Sequence, residues 1–251
     1  MQRLEAYFPR HGYAAHRHDT YAIGVTLRGV QAFRYRGLVR HCLPGECHIL
    51  YPDEIHDGFS GSDDGFRYRI AHIDPHLIQG ALQGKALPFV PDPVVRLTAL
   101  QMRLLSPVWD MDERIDEERE AELAAATADA LLELSGGPPP RQEALDLPAL
   151  LRVREHIASS PGRRRTLADL ERLSGLDRWT LARQFRSAFG TSPTRFRTMR
   201  QLDLVRRLVR QGTTLIDAAY EAGFSDQCHM SRHFKNAYGL TPARWAASLG
   251  A

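Results

Sequence analysis

Polar and apolar residues alternate along the first part of the chain. Between residues 20 and 73 apolar side chains recur at every second position, as at Ile23, Val25 and Leu27, and turns rich in glycine, proline and aspartate separate the runs. Short strands at such even spacing are typical of a β-sandwich or a small barrel. The pattern therefore predicts a small β-barrel in the N-terminal half.

The pattern changes to a helical period from Pro93 onward. It predicts one helical segment from Val94 to Leu105 and a second from Ile115 to Leu134. Glutamates crowd the first turns of the second segment, which suits the positive end of a helix dipole. These helices either cover the open face of the barrel or pair with a second copy of the chain, and the pattern leaves both alternatives open.

A run of two glycines and three prolines, residues 136–140, predicts the boundary between two domains, because neither residue type suits the interior of a regular element. We expect a β domain over residues 1–135, with trailing helices at about 93–134. A linker would cover residues 136–146, and an all-α domain residues 147–251.

Periodicity in the second domain is helical throughout. The predicted helices begin near Leu147, Leu167, Asp177, Thr194, Leu215 and Asp226.

The all-α domain contains an internal repeat. A shift of 49 residues superposes Phe185 on Phe234, and slightly upstream a shift of 48 superposes Gly175 on Gly223. Each copy is predicted to be a helix, a glycine turn and a second helix, which is the organisation of a helix-turn-helix. The chain is therefore expected to carry two such units.

The second helix of each copy has one apolar face and one polar face. Leu181, Phe185 and Phe189 recur at every fourth position and are expected to point inward. Arginine can bind guanine, glutamine can bind adenine, and apolar groups fit the thymine methyl. The candidate base-contacting residues are Arg178, Trp179, Ala182 and Arg183 in the first copy and Gln227, Cys228, Ser231 and Arg232 in the second.

The segment from Thr194 to Arg210 predicts a core-packed helix of about 25 Å that separates the two copies. If it holds the two reading helices about 34 Å apart, one chain can enter two successive major-groove segments. The candidate phosphate-contacting residues are Arg186, Arg195, Arg197, Arg200, Arg206, Arg207 and Lys235.

Charge divides the chain in the same place. Residues 1–140 hold 14 lysines and arginines against 20 aspartates and glutamates (14 − 20 = −6), whereas residues 141–251 hold 19 against 10 (19 − 10 = +9). A basic domain of this size is typical of a polyanion partner, because neutralised phosphates release counterions. Double-stranded DNA is the partner that fits both the charge and the repeat.

Composition also limits the cellular location. No apolar run approaches the roughly 18 residues of a membrane span, and the first residues lack the apolar core of a signal peptide. Three cysteines without a CxxC spacing fit a reducing compartment. We therefore expect a cytoplasmic protein with no membrane partner.

Residues 148–251 resemble the DNA-binding domain of the AraC/XylS family of bacterial transcription regulators. The similarity lies in "EAGFSDQCHMSRHFKNAYGLTPARW", which resembles the family signature, and in "LSGLDRWTLARQFRSAFGTSPTRF", which resembles its first helix-turn-helix. It implies two helix-turn-helix units joined by a long helix, in a regulator rather than an enzyme. The chain departs from the family at Trp245, where tyrosine is frequent, and at Ala182, where a longer side chain is frequent.

Residues 1–134 resemble the cupin-like sensor domain of the same family, including "PGECHILYPDEIHDG". This resemblance implies a barrel that holds a small effector, and it makes RNA polymerase and a second copy of the chain candidate partners. The candidate effector-binding residues are His18, Tyr21, Arg36, His56 and Tyr68.

Three histidines of the N-terminal half suggest a metal site. Cupin barrels hold a divalent ion with an HxH pair and a later histidine, and His16, His18 and His56 have this order. The carboxylate of such sites is missing from "HRHDTYAIGV", and eight of the eleven histidines lie in this half, so close pairs arise by chance. We therefore predict hydrogen-bonded histidines and no metal cofactor.

Two other functions are compatible with the sequence. One is a metal-dependent cupin enzyme with an appended basic domain, and the other is a nucleoid-like DNA binder without sequence preference. Bound metal would indicate the first, and uniform protection of DNA would indicate the second.

Overall fold

The computed structural model describes residues 1–136, 144–163 and 165–249. Contacts between Cα atoms divide the chain into two compact units, with the main boundary between Leu145 and Asp146. Most of the predicted linker, residues 137–143, lies outside the described residues. The predicted domain limits therefore stay predictions.

The N-terminal unit is built on two β-sheets. In the described part of the chain one sheet has the strand order β1-β8-β3-β6-β9 and the other the order β2-β7-β4-β5. The strands are β1 (Gln2–Phe8), β2 (His11–His16), β3 (Tyr21–Gly29), β4 (Gln31–Tyr35), β5 (Leu38–Cys42), β6 (Cys47–Leu50), β7 (His56–Ser60), β8 (Phe66–Ile73) and β9 (Val94–Val95).

Helices complete this unit. They are α1 (Pro75–Leu82), α2 (Ala99–Leu105) and α3 (Glu117–Leu134), and a short 3-10 turn, Ser106–Trp109, follows α2. Leu123 and Leu131 of α3 are buried in a core that includes β3, β6 and β8 residues. The apolar stripe of α3 therefore covers a sheet, which is the first of the two alternatives for these helices.

The central strand β3 contributes to two separate cores. Its residues Tyr21–Thr26 are all buried, because the sheet is covered on both faces. Ile23 lies in the core on the helical side, with Leu131. Ala22 lies in the core shared by the two sheets, with Phe33 of β4. Alternate side chains of β3 therefore pack in different cores.

The helix predicted to begin at Val94 begins later. Val94–Val95 forms the short strand β9, which pairs with β6 in antiparallel register. The helix starts at Ala99, because the Thr98 side chain accepts a hydrogen bond from the Gln101 amide and the Gln101 side chain bonds back in a capping box. The two β-branched valines extend the sheet instead, which corrects the sequence prediction.

The C-terminal unit is helical, and the predicted fold class is confirmed. Its helices are α4 (Leu147–Ala158), α5 (Leu167–Ser174), α6 (Arg178–Phe189), α7 (Pro193–Arg210), α8 (Leu215–Glu221), α9 (Gln227–Tyr238) and α10 (Pro242–Ala247). The predicted starts are within one residue of these bounds, but α10 was not predicted as a separate helix. No helix in the described part of the chain is both long and apolar enough to cross a membrane.

Matching caps start the two repeats. Thr166 caps α5 and Thr214 caps α8, and each side chain accepts a hydrogen bond from the amide three residues later. Met199, Leu202 and Val205 of α7 are buried in a core with residues of α8 and α9. The long helix is therefore part of the core of the second helix-turn-helix.

Candidate nucleic-acid interface and effector site

The first helix-turn-helix consists of α5, a glycine turn and α6. Gly175 ends α5 with a φ of 74°, in the left-handed region that glycine adopts without strain. Asp177 then starts α6, since its carboxylate accepts hydrogen bonds from the amides of Trp179 (2.9 Å) and Thr180 (3.1 Å). Local signals at both ends of the turn therefore position α6.

The outer face of α6 carries the four residues proposed from the sequence. Leu181 and Phe185 are fully buried on the inner face. Trp179 is 78% exposed, although tryptophan is highly buried on average. The predicted base-contacting residues Arg178, Trp179, Ala182 and Arg183 are all exposed.

Arg178 is held against the first helix of its unit. Its backbone amide donates to Glu171 Oε1 at 2.8 Å, and its Nε lies 3.5 Å from the same oxygen. This ion pair orients the guanidinium, and the Arg178 side chain is 57% exposed.

The second helix-turn-helix repeats this construction with α8 and α9. Gly223 has a φ of 79°, and a Cβ at this position would lie 2.3 Å from the carbonyl oxygen of Gly162. Asp226 starts α9 by accepting from the His229 amide at 2.7 Å, and this hydrogen bond lowers the pKa of the Asp226 carboxyl. Glycine is therefore needed at 223 for both backbone conformation and space.

The outer face of α9 is also presented to solvent. Met230 and Phe234 are fully buried on the inner side. Of the four predicted base-contacting residues, Cys228 and Arg232 are exposed, and Gln227 and Ser231 are half-buried.

A histidine pair on α9 was missed by the sequence analysis. His229 Nε2 and His233 Nε2 lie 3.0 Å apart. The Ser225 hydroxyl donates to Asp226 (3.0 Å), so its oxygen can accept from His229 Nδ1 (3.2 Å). Neutral His229 then accepts at Nε2 from His233. The i, i+4 spacing in "HMSRH" was the signal for this pair.

The predicted phosphate-contacting residues differ in exposure. Arg186, Arg207 and Lys235 are exposed, whereas Arg195, Arg197, Arg200 and Arg206 are half-buried.

Arg206 is engaged inside the domain. Its guanidinium lies 4.9 Å from the centroid of the Tyr238 ring and 5.6 Å from that of Trp245, and it is 3.7 Å from an Asp203 oxygen. Replacing Arg206 would therefore disturb packing as well as charge, which makes it a poor probe of phosphate contact.

Several carboxylates of the C-terminal unit are used at helix starts. There they accept hydrogen bonds from backbone or hydroxyl groups, and such bonds lower the pKa of Asp169 and Asp177. Arg183 and Arg186 of α6 and Arg232 of α9 are exposed, so this surface is basic. The carboxylates so used are Asp169, Asp177, Asp217 and Asp226.

The core between the two sheets contains a buried histidine that the sequence analysis did not select. His48 of β6 is 0% exposed, and its ring centroid lies 5.9 Å from that of Phe33 and 6.0 Å from that of Tyr68. Neither ring nitrogen has a hydrogen-bond partner among the described residues. Burial lowers the pKa of His48 to about 3, so the ring is neutral at physiological pH. A polar residue within the apolar run "CHIL" was the available signal.

The predicted effector-binding residues do not converge on one place. Tyr21 lies in the helical-side core and donates to the Pro88 carbonyl at 2.8 Å, whereas Tyr68 lies in the core between the sheets. Arg36 is in the turn after β4 and forms an ion pair with Glu54 at 2.6 Å. Tyr68 is thus the member of the set that adjoins His48.

The remaining candidates, His18 and His56, fall in different compact units, since residues 16–18 group with the C-terminal unit and His56 groups with the N-terminal unit. His16 ends β2 and His56 begins β7, which is the hydrogen-bonded neighbour of β2 in the four-stranded sheet. The metal alternative for His16, His18 and His56 stays a hypothesis.

Comparison with known proteins agrees with this two-part organisation. A family model described as "AraC-like ligand binding domain" matches residues 1–135, and a "Helix-turn-helix domain" model matches residues 170–248. The HTH-type transcriptional regulator YbfI of Bacillus subtilis (strain 168) is 27% identical over 230 residues, which cover 86% of this chain and 80% of YbfI.

Further matches are shorter or more distant. ExsA of Pseudomonas aeruginosa is 30% identical over 79 residues, which cover 31% of this chain and 28% of ExsA. The structure of ToxT from Vibrio cholerae superposes with a TM-score of 0.67 at 13% identity, covering 98% of this chain and 97% of ToxT. At that identity the match shows a common fold alone.

Proposed function

Because the chain belongs to the AraC family of transcription regulators, with an N-terminal ligand-binding domain and a helix-turn-helix domain, we propose that α6 and α9 read two adjacent major-groove segments of one operator. The observation that carries this proposal is the matched pair of outward faces. Arg183 and Arg232 occupy equivalent positions 49 residues apart, and both are exposed. Each can bind a guanine through two hydrogen bonds.

The helix α7 would set the spacing of the two faces. Its 18 residues correspond to about 27 Å at 1.5 Å per residue. The buried residues Phe196, Leu202 and Val205 anchor it along its length, so it acts as a rigid spacer. Successive major-groove segments on one side of a duplex are about 34 Å apart.

Phosphate contacts would flank the base contacts in the same way on both helices. Arg186 of α6 and Lys235 of α9 are also equivalent at the 49-residue shift, and both are exposed. A cation one turn beyond the reading residues is suited to bind the backbone and to orient the helix without selecting a sequence.

The effector would be bound in the core between the two sheets. A fully buried imidazole without a hydrogen-bond partner is costly, and a small ligand with a hydroxyl, amide or carboxyl group would remove that cost at His48. Such a ligand controls DNA occupancy if it binds one domain arrangement better than another. RNA polymerase and a second copy of the chain stay predicted partners.

Footprinting on an operator selected from a random duplex library tests the two-segment proposal. One full-length chain should protect two segments about 10 base pairs apart on one face of the duplex. A single protected segment would contradict it, and uniform protection would favour the nucleoid-like alternative. The metal-dependent enzyme alternative has no support from the matched families, which are those of transcription regulators.

Replacing His48 with phenylalanine tests the effector site. Removal of an unsatisfied polar group should stabilise the ligand-free N-terminal domain by about 1–3 kcal/mol, measured by thermal unfolding. The gain should be larger at pH 5, since the unfolded histidine takes up a proton below 6.5 and the folded one only near 3. Equal stability of the two proteins at both pH values would remove the support for a ligand at His48.

A further inference from the structure

We infer that His229 and His233 of α9 bind one divalent transition-metal ion through their Nε2 atoms. Both residues, and the groups that position them, belong to the C-terminal unit. The inference is independent of the two-segment reading of DNA, because it depends on the separation of two ring nitrogens and not on which bases α9 contacts.

The spacing along α9 places both rings on one side of the helix. His229 and His233 are four residues apart within Gln227–Tyr238, and side chains at this separation are neighbours on a helix surface. Two histidines with this spacing on one helix face are an established arrangement for binding zinc.

The two nitrogens are already at the separation that one ion requires. Nε2 of His229 and Nε2 of His233 lie 3.0 Å apart. Histidine nitrogens bind zinc at about 2.0–2.1 Å, so two ligands of one ion are about 3.0 Å apart in octahedral and about 3.3 Å apart in tetrahedral geometry. The ion would replace the proton that the two nitrogens share, and small ring rotations would aim both lone pairs at it.

His229 is held in the tautomer that a metal ligand needs. The Ser225 hydroxyl donates to an Asp226 carboxylate oxygen at 3.0 Å, so its oxygen can accept from His229 Nδ1 at 3.2 Å. Nδ1 then carries the proton, and Nε2 carries the lone pair. Outer partners of this kind orient metal-binding histidines and raise their basicity.

Phe224 restricts the movement of both rings. This buried side chain has its ring centroid 5.7 Å from that of His229 and 6.0 Å from that of His233. The two imidazole centroids are 4.7 Å apart, with an angle of 70° between the ring planes. Because the rings are held in place before the ion arrives, little side-chain freedom is lost on binding.

The chemistry of the pair selects the class of metal. Arg195 and Arg232 act on His233 through their positive charges, and these charges oppose the binding of any cation. Magnesium and calcium depend on oxygen ligands, which two imidazoles do not supply. Imidazole nitrogen suits zinc, nickel and copper, so an ion of this group is the one that the pair can hold.

The structure also leaves room for the other ligands of the ion. His233 lines a cavity of about 320 Å³ between α7 and α9, together with Thr194, Arg195 and Asn236. Water can therefore reach an ion bound to His233, and Arg195 would attract an anion such as chloride to one of the open positions.

Zinc competition against a chromophoric chelator tests the inference. The starting protein is the full-length chain without an affinity tag, in which His16 and His18 are replaced by glutamine, because the sequence suggests them as alternative ligands. We expect one equivalent of zinc. His233→Gln should weaken binding by at least about 10-fold, since loss of an outer partner alone costs a metal site roughly 10–100-fold. His156→Gln is the matched control, since His156 is an exposed histidine of α4 in the same unit, and it should leave binding unchanged.

A second variant removes an outer partner and keeps both ligands. Ser225 is exposed, and Ser225→Ala should weaken zinc binding by about 10-fold. Absence of zinc binding in the starting protein would overturn the inference, as would equal affinity of the His233→Gln and His156→Gln proteins. If circular dichroism shows that His233→Gln does not fold, Ser225→Ala replaces it in this comparison, and equal affinity would again overturn the inference.

Discussion

The two helix-turn-helix units share their frame and differ in their surface. Each has a threonine cap on its first helix, a glycine with positive φ in the turn and an aspartate that caps the second helix. The outward faces agree at Arg183 and Arg232, but Trp179 is matched by Cys228. The two units therefore share the caps and turn glycines that form the fold and differ in outward residues that would contact DNA. They are expected to select different base sequences.

The largest expected difference between the units lies in their turns. Gly223→Ala should destabilise the C-terminal domain by about 3 kcal/mol or more, since it combines positive φ with a Cβ placed 2.3 Å from the Gly162 carbonyl. Gly175→Ala should cost about 1–2 kcal/mol, because among the described residues nothing beyond its chain neighbours lies within 4 Å of that Cβ. Urea unfolding of both full-length variants measures the two values. Equal losses would show that the turns are interchangeable.

Arg183 and Arg232 should each determine base preference in a different half of the operator. Arg183→Ala and Arg232→Ala should each lower discrimination by about 1–3 kcal/mol, at base pairs in opposite halves of the selected operator. Competition binding with operators altered in one half measures the effect. Arg103→Ala is the control, since Arg103 is an exposed arginine of α2 in the other unit. A loss of discrimination in the same half for both variants would contradict separate reading.

Arg186 and Lys235 should contribute equally to the salt dependence of DNA binding. Arg186→Ala and Lys235→Ala should each weaken binding to all duplexes and reduce the slope of log K against log salt by about 1. Fluorescence anisotropy at several salt concentrations gives this slope. If either variant changed sequence preference but left the slope unaltered, that residue would contact a base instead.

The smallest expected effect is on the loss of stability at acidic pH. Burial, followed by the charges of His229, Arg195 and Arg232, lowers the pKa of His233. The unfolded chain therefore binds a proton first as the pH falls below 6.5, and stability from this residue is present above that pH and is lost below it. The first unit has the non-titrating Gln184 at the equivalent position. His233→Gln should therefore reduce the loss of stability between pH 7 and pH 5.5, measured by the unfolding midpoint. An unchanged pH dependence would show that His233 does not make the second unit more sensitive to acid than the first.

Much of the DNA-binding unit was predictable because its signals are local. Thr166 and Thr214 cap the helices that they precede, and the buried row of Leu181, Phe185 and Phe189 follows from helical spacing. The effector site was less predictable. Tyr21 and Tyr68 were predicted to share one site, but they lie in different cores.

The sequence alone determined the repeat, the turns, the helix starts and the basic character of the second domain, since each depends on residues close along the chain. Tertiary structure decided which face of a strand meets which core, that Val94 and Val95 join a sheet edge, and that Arg206 packs between aromatic rings. It also placed His48 among apolar side chains. These outcomes depend on pairing between distant segments, and a period of two marks the alternation of a strand without showing what covers either face.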